Sequence, residues 1–224
     1  MEGIVVVNKP PGMTSHDVVH RVRKIFNMRR VGHAGTLDPL ATGVLVVLLG
    51  KATKLFNRFV EFDKAYRATL RLGTRTTTAD IMGKVLEQKP FAHVTRAQVE
   101  KIFTQFIGEQ EQMPPMVSAL KFQGRRLYAL AREGKEVART PRKIRIMELK
   151  ILDFSNPEVQ FFMECTKGTY VRKFAEDAGE LLGCGACISQ IERTKVGPFT
   201  IEQSVALENL NESYLRRWPD QAAV

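Results

Sequence analysis

Hydrophobic residues in the first third of the chain predict strands and helices that alternate. The opening GIVVVNKPPGM has the pattern of a short apolar strand that ends in a Pro-Pro-Gly turn, and the length and β-branched content of VLVVLL at 44–49 predict a strand buried on both faces. Between them Thr14 and Asp17 have the spacing of a capping box, and apolar residues then recur at helical intervals. A strand, a helix and a second strand are therefore expected before residue 50.

The same patterns continue through the rest of the chain. Residues 64–72 alternate between apolar and largely basic positions, which predicts a strand with Tyr66 on its buried face. Together the segments indicate an α+β fold, a mixed and mainly antiparallel central sheet flanked by helices, in a single domain spanning residues 1–224. The other predicted elements are a helix at 52–62, a helix capped by Thr95 and Gln98, strands at 144–152 and 158–166, and a helix after Tyr170 that stops at Gly183.

Residues 108–143 interrupt these patterns. The segment holds a Pro-Pro pair and many bases with few acids, and it cannot bury that much charge. We therefore expect an exposed, mobile, basic insertion in the core sheet. Its bases include Lys121, Arg125, Arg126, Arg132, Lys135, Arg139, Arg142 and Lys143.

The overall charge favours a polyanionic partner. The chain carries 34 Lys and Arg against 24 Asp and Glu, a formal net charge of +10, and phosphate neutralisation by such a surface releases condensed counterions. Residues 18–37 and 64–79 contain bases and no acids. A single run of this kind is usually a solvated face, but several runs in one chain indicate nucleic acid.

Membrane, secreted and zinc-binding proteins are disfavoured by the sequence. It has no charged, apolar leader and no apolar stretch approaching the roughly 20 residues of a membrane span, so a cytoplasmic protein is expected. Cys184 and Cys187 form a C-x-x-C, but no second pair at metal-ligand spacing accompanies them. We interpret these two and Cys165 as structural thiols, with no metal site.

Asp38 is the carboxylate that the sequence singles out. It lies in a tight, otherwise uncharged turn bounded by Gly32, Gly35 and Gly43 that leads directly into the buried strand. An Asp before Pro is an ordinary turn initiator. A carboxylate at such a junction can, however, be held rigidly at the mouth of a cleft.

Six segments, in order along the chain, resemble those of the TruB family of tRNA pseudouridine synthases. The resemblance covers residues 3–199 and is carried by NKPPGMTSHDVV at 8–19, GHAGTLDPLATGVL at 32–45, KAYRATLRLGTRT at 64–76, PPMVSALKFQGRRLYALAREG at 114–134, KGTYVRKFAEDAGELLG at 167–183 and RTKVGPF at 193–199. It implies the pseudouridine synthase fold and an isomerase, without cofactor or metal, that flips the T-loop uridine 55 of tRNA and converts it to pseudouridine.

The resemblance also assigns roles to residues. Asp38 matches the family's nucleophile, although attack at uracil C6 and at ribose C1′ both remain open. Tyr66 matches the tyrosine that stacks on the flipped base and is a candidate for proton movement, and Arg172 matches an arginine that pairs with the catalytic aspartate. Each has an ordinary alternative, a core tyrosine for Tyr66 and a helix-surface arginine for Arg172.

Further residues are expected to contact RNA or support the site. His33 is predicted to contact RNA and Tyr170 to line the uracil pocket, although a surface histidine and a packing tyrosine are the ordinary alternatives. Lys9 belongs to a motif that supports the stacking tyrosine, and Asp80 lies in a segment that resembles a substrate-contacting loop. In the basic insertion, phosphate contacts are expected from Arg125, Arg126 and Arg132.

The expected partner is the T-arm of tRNA, with no obligatory protein partner and no membrane. Many relatives add a C-terminal RNA-binding PUA domain, and the roughly 25 residues after the last motif predict that this chain has none. Two alternatives to a stand-alone enzyme are a guide-RNA-directed synthase subunit and a tRNA-binding or tRNA-folding module with secondary catalysis. Intact Asp38, Tyr66 and Arg172 argue against a vestigial pocket.

Overall fold

The computed structural model describes residues 2–218, which form five α-helices and fourteen strands. The α-helices are α1 Ser15–Ile25, α2 Phe56–Val60, α3 Arg96–Gln105, α4 Leu127–Arg132 and α5 Val171–Leu181. The strands are β1 Gly3–Lys9, β2 Val31–Ala34, β3 Thr42–Leu49, β4 Lys64–Leu72, β5 Thr74–Thr76, β6 Val85–Gln88, β7 Gly108–Gln112, β8 Lys121–Phe122, β9 Arg125–Arg126, β10 Arg142–Ser155, β11 Glu158–Cys165, β12 Ala186–Val196, β13 Phe199–Thr200 and β14 Val205–Ala206.

The chain divides into two compact units. Unit 1 comprises Met1–Tyr66 and Ile191–Val224, of which residues 2–66 and 191–218 are described, and unit 2 comprises Arg67–Gln190. The chain passes from one unit to the other within β4 and within β12. The single domain expected over residues 1–224 stays a prediction.

Unit 1 is a mixed sheet covered by helix α1. Its strands follow the order β14-β1-β3-β12, with β2 paired to β3 and β13 to β12. β1 and β3 are antiparallel, whereas β12 joins β3 in parallel, with Arg193 opposite Gly43. The apolar stripe of α1, including Val18 and Val22, packs in one cluster with β1 and β3 residues, and burial of this apolar surface is the main force that holds the unit together.

Unit 2 is built on strands in the order β4-β11-β10-β7, with two small hairpins, β5–β6 and β8–β9. β10 pairs antiparallel with both β11 and β7. The aromatic centre of the unit joins strand and helices, since the Phe161 ring lies 5.7 Å from Phe103 of α3 and 5.3 Å from Phe174 of α5. The buried face of β11 is the one that its alternation predicts, Val159, Phe161, Met163 and Cys165.

The predicted α+β class with mixed sheets and flanking helices is confirmed, and so are both capping boxes. Two details differ. Residues 50–60 form a 3-10 helix followed by the short α2, in place of one helix at 52–62. The ends of the 108–143 segment are strand, because the polar run Gly108–Gln112 pairs with β10, so irregular structure and short elements are confined to its middle. Among residues 2–218, no helix has the length and hydropathy needed to span a membrane.

Candidate active site

Asp38 lies in the seven-residue loop 35–41 that joins the end of β2 to the start of β3. Its carbonyl accepts a hydrogen bond from the Ala41 amide at 3.1 Å, which closes a tight turn around Pro39. At the far end of the loop Gly43 has φ of 96°, and a Cβ there would lie 2.3 Å from the carbonyl oxygen of Arg193. Only glycine permits this close approach of the loop to β12.

Ser15, the first residue of α1, holds the loop immediately before Asp38. The amide of Leu37 donates to Ser15 Oγ at 2.8 Å, and Ser15 Oγ donates to the Leu37 carbonyl at 3.1 Å. Both groups are buried, so neither bond competes with water. The reciprocal pair fixes the backbone one residue before the carboxylate.

Lys9 supports the other side of the loop. The side chain is fully buried, and Nζ donates to the carbonyls of Met13 at 2.6 Å, Pro10 at 2.9 Å and Pro39 at 3.4 Å. Burial lowers the pKa of this amine to about 8, against the opposing pull of the Asp38 carboxylate, while nearby Arg193 lowers it further. Lys9 thus contacts Pro39, the residue after Asp38, and its predicted support of the stacking tyrosine stays a prediction.

Arg193 opens the RTKVGPF segment, and the sequence alone indicates no role for it. Its guanidinium is almost completely buried, with Nε donating to the Val44 carbonyl at 2.8 Å and Nη2 to the Gly35 carbonyl at 3.0 Å. Nη1 also donates to the Thr36 carbonyl, at 3.4 Å. One side chain therefore binds both ends of the loop that carries Asp38.

Arg193 also contacts Tyr66. Burial lowers the pKa of the guanidinium, and this is opposed by a hydrogen bond to the Tyr66 side chain and by the negative charge of Asp38. Tyr66 is 8% exposed, as the alternation of β4 predicts. His33 lies on β2 with its backbone opposite Val47 of β3.

Arg172 is the buried arginine of unit 2. It is 4% exposed, and its guanidinium donates to the carbonyls of Thr78 at 2.7 Å and Val117 at 2.9 Å. Its Nε also forms an ion pair with Asp80 Oδ2 at 3.7 Å. The sequence alone left a helix-surface arginine as the alternative, and the burial of Arg172 contradicts that alternative.

Asp80 and Tyr170 are anchored by contacts within unit 2. Asp80 Oδ1 accepts from the Thr78 hydroxyl at 2.6 Å and from the Met82 amide at 3.1 Å, so the carboxylate organises its own turn as well as Arg172. Tyr170 caps α5, and its backbone exchanges two hydrogen bonds with the Gln112 amide, at 2.8 and 3.1 Å. Their predicted substrate contacts stay predictions.

The three arginines predicted to bind phosphate are exposed. Arg125 forms an ion pair with Glu133, Arg126 donates to the Ala119 carbonyl, and the Arg132 guanidinium lies 5.5 Å from the centre of the Tyr128 ring. Leu127 and Leu130 of α4 are buried beneath them. The exposed arginines of this segment are therefore attached to folded structure that includes α4.

The cysteines behave as structural thiols. Cys165, Cys184 and Cys187 are free and buried, and burial raises the pKa of Cys187 to about 11. Within residues 2–218 no three His, Cys, Asp or Glu side chains gather at one point as metal ligands.

Unit 1 therefore brings together Asp38, Tyr66 and Lys9, and adds Ser15 and Arg193, which no local pattern had indicated. Arg172, Asp80 and Tyr170 belong to unit 2. The pairing of Arg172 with Asp38 stays a prediction.

The sequence profile of the TruB family pseudouridylate synthase N-terminal domain matches residues 23–171, and that of the tRNA pseudouridylate synthase B C-terminal domain matches residues 172–222. The chain belongs to the TruB family. Two curated relatives, both named tRNA pseudouridine synthase B, are 48% identical to it. The protein of Syntrophotalea carbinolica matches over 93% of this chain and 68% of its own length, and that of Geotalea uraniireducens over 100% and 71%. The predicted enzyme class, a tRNA pseudouridine synthase, is confirmed.

Solved structures show the same fold. The crystal structure of a Cbf5-Nop10-Gar1 complex contains a chain that is 31% identical with a TM-score of 0.73, covering 93% of this chain and 53% of that one. An H/ACA RNP bound to a substrate RNA containing 2′-deoxyuridine contains one that is 28% identical with a TM-score of 0.69, covering 93% and 52%. The chain spans about half the length of these solved relatives, and the predicted pseudouridine synthase fold is confirmed.

Proposed function

We propose that this protein isomerises uridine 55 in the T loop of tRNA to pseudouridine, with Asp38 as the nucleophile. The reaction breaks the bond from C1′ to N1 and makes one from C1′ to C5, after which C5 loses a proton and N1 gains one. The observation that carries the proposal is the support of Asp38, whose loop is bound by Ser15, Lys9 and Arg193 in a chain of the TruB family.

A nucleophile needs little reorganisation when its backbone is already fixed. The loop meets this need, because a buried donor binds the peptide on each side of Asp38, Ser15 at Leu37 and Lys9 at Pro39. The attack itself, at uracil C6 or at ribose C1′, places a covalent bond on the Asp38 carboxylate in either case.

Tyr66 supplies the aromatic surface of the proposed site. A uridine flipped out of the T loop loses its stacking in RNA, and a tyrosine ring restores it. The hydrogen bond from Arg193 holds the phenol oxygen, so the ring has a fixed orientation in which to receive the base. Arg172, by family position, is proposed to orient the Asp38 carboxylate.

Binding of tRNA is proposed to rest on exposed bases. Loop nucleotides are recognised when they are splayed out while the backbone is held by Lys and Arg. The exposed Arg125, Arg126 and Arg132 are proposed to hold the RNA backbone. His33 is proposed to contact the loop RNA. A cytoplasmic location and the T-arm as the recognised element are part of the same proposal.

The decisive experiment is Asp38→Asn assayed on unmodified tRNA transcript. We expect turnover, measured as tritium release from 5-tritiated uridine, to fall by about a thousandfold or more with tRNA binding kept. Asp63→Asn, which neutralises an exposed carboxylate of the same unit, is the matched control and should retain wild-type turnover. Retained turnover in Asp38→Asn would contradict the assignment of the nucleophile.

A guide-RNA-directed subunit is the second candidate, because the solved relatives include an H/ACA RNP. The 48% identical relatives named tRNA pseudouridine synthase B favour the stand-alone enzyme. Incubation of purified protein with tRNA alone, followed by chemical mapping of pseudouridine, separates the two. Modification at position 55 without added RNA or protein supports the proposal, and a strict requirement for a guide contradicts it.

A further inference from the structure

We propose that Arg193 is a positioning residue for catalysis, which sets the geometry of Asp38 and Tyr66 together. This inference rests on the proposed function, because it names how that site is assembled. Arg193 lies on β12, a strand that carries neither of the two residues it serves.

The first step is the shape of the contacts. The three guanidinium nitrogens point to three carbonyls, those of Gly35 and Thr36 before Asp38 and that of Val44 after it. The planar fork of an arginine can serve such divergent acceptors at once, whereas a lysine ammonium is a compact point donor. Arg193 therefore connects the start of the loop that carries Asp38 to the strand residue Val44 that follows the loop.

The second step is the contact with Tyr66. The same guanidinium donates to the Tyr66 side chain, so the loop and the stacking tyrosine share one buried partner. The phenol oxygen accepts this bond. A displacement of Arg193 would move both the carboxylate loop and the tyrosine.

The third step separates this role from simple structural support. A buried arginine that only held the fold would affect stability and catalysis alike. A positioning residue affects the reacting geometry more than tRNA binding, so its replacement should lower kcat and leave KM nearly unchanged. It should also be coupled to Tyr66, because one contact joins the two side chains.

The experiment is a double-mutant cycle of Arg193→Lys and Tyr66→Phe, with kcat and KM for tRNA measured in each variant. We expect Arg193→Lys to lower kcat by about ten- to a hundredfold with KM within about twofold, and the double variant to lose less than the product of the single losses. Arg216→Lys is the matched control, since Arg216 is exposed and its guanidinium donates to the Gln203 carbonyl, outside the loop that carries Asp38. It should retain wild-type kcat.

Additive losses in the cycle, or an unchanged kcat in Arg193→Lys, would overturn the proposal. If Arg193→Lys does not fold, exchange-protected arginine side-chain N–H signals are compared by NMR in wild type and Tyr66→Phe. Loss of protection at one arginine supports the contact, and an unchanged spectrum overturns it. A wild type inactive on tRNA would refute the proposed function, while the NMR comparison would still test the contact.

Discussion

Within residues 2–218, unit 1 and unit 2 each bury one arginine against main-chain carbonyls, but the two guanidinium groups are held differently. Arg193 binds carbonyls that all flank a single loop, and its neighbouring charge is that of Asp38. Arg172 binds carbonyls from two separate segments, at Thr78 and Val117, and pairs with the carboxylate of Asp80. The first arginine shapes one loop, whereas the second joins different parts of its unit.

The difference matters because burial of a charge is costly unless hydrogen bonds and a counter-charge compensate it. In unit 2 Asp80 supplies the counter-charge of Arg172. Removal of Arg172 therefore leaves the buried Asp80 carboxylate without this cation. In unit 1 the compensating groups are mostly carbonyl dipoles. Removal of Arg172 should therefore appear mainly in stability, and replacement of Arg193 mainly in catalysis.

The largest effect should come from Arg172→Met. Asp80 is 6% exposed, and loss of its buried partner should lower the free energy of unfolding by about 3–5 kcal/mol. Arg96→Met, which breaks an exposed pair with Glu100, should cost about 0.5 kcal/mol or less. Denaturant unfolding measures both. Recovery of part of the loss in Arg172→Met with Asp80→Asn would locate the cost at the unpaired carboxylate.

The next effect concerns the glycine that faces Arg193. Gly43→Ala should destabilise unit 1 by about 2–4 kcal/mol, because the new methyl group adds overpacking against the β12 backbone to the strain of a positive φ. Gly12→Ala has a similar φ and open space around it, so it should cost only about 1 kcal/mol. Equal losses of stability in the two variants, measured by thermal or denaturant unfolding, would show that the β12 backbone shifts to accommodate the new methyl group.

A smaller effect is expected in tRNA binding. Replacement of Arg125, Arg126 and Arg132 by Gln should weaken binding by about tenfold and flatten the plot of log K against log salt by about 1–2 units. The expected change in slope is small because Arg125 already pairs with Glu133 in the free protein. A triple variant of the exposed Lys51, Arg96 and Lys150 is the matched control. An unchanged slope in the first variant would show that the segment does not contact phosphate.

The smallest effect should be the pH dependence due to Lys9. Its pKa is about 8 in the folded protein and 10.5 ordinarily, so between these values the unfolded chain binds more protons and stability rises with pH. Below about pH 8 both states are protonated and the contribution is flat. Lys9→Met should lack this rise when unfolding free energies are compared from pH 7 to 11. Parallel profiles for the two proteins would contradict the lowered pKa.

Local patterns predicted much of this fold because the relevant contacts are local. The capping box of Thr14 and Asp17 is closed within four residues, and the alternation of β11 reports its own buried face. β2 and β12 were missed, since β2 is short and Gly-containing and β12 mixes apolar and charged residues. Their pairing with β3 depends on residues far away in sequence.

The candidate site divides in the same way. Asp38 could be located from its glycine-bounded turn, and its role came from the family resemblance. Arg193 could not, because the carbonyl of Gly35 that it binds is 158 residues distant along the chain. A single arginine within a strand has no local feature that distinguishes a buried donor from an exposed side chain.

The bonds between Ser15 and Leu37 couple the opening of the loop that carries Asp38 to the first turn of α1. The Leu37 amide is protected only while its acceptor on the first turn of α1 stays in place. Solvent exchange at that amide should therefore follow the fraying of the helix start, which opens more readily than a helix interior. The lifetime of the ordered loop around Asp38 should therefore follow the stability of the first turn of α1, more than twenty residues earlier in the chain.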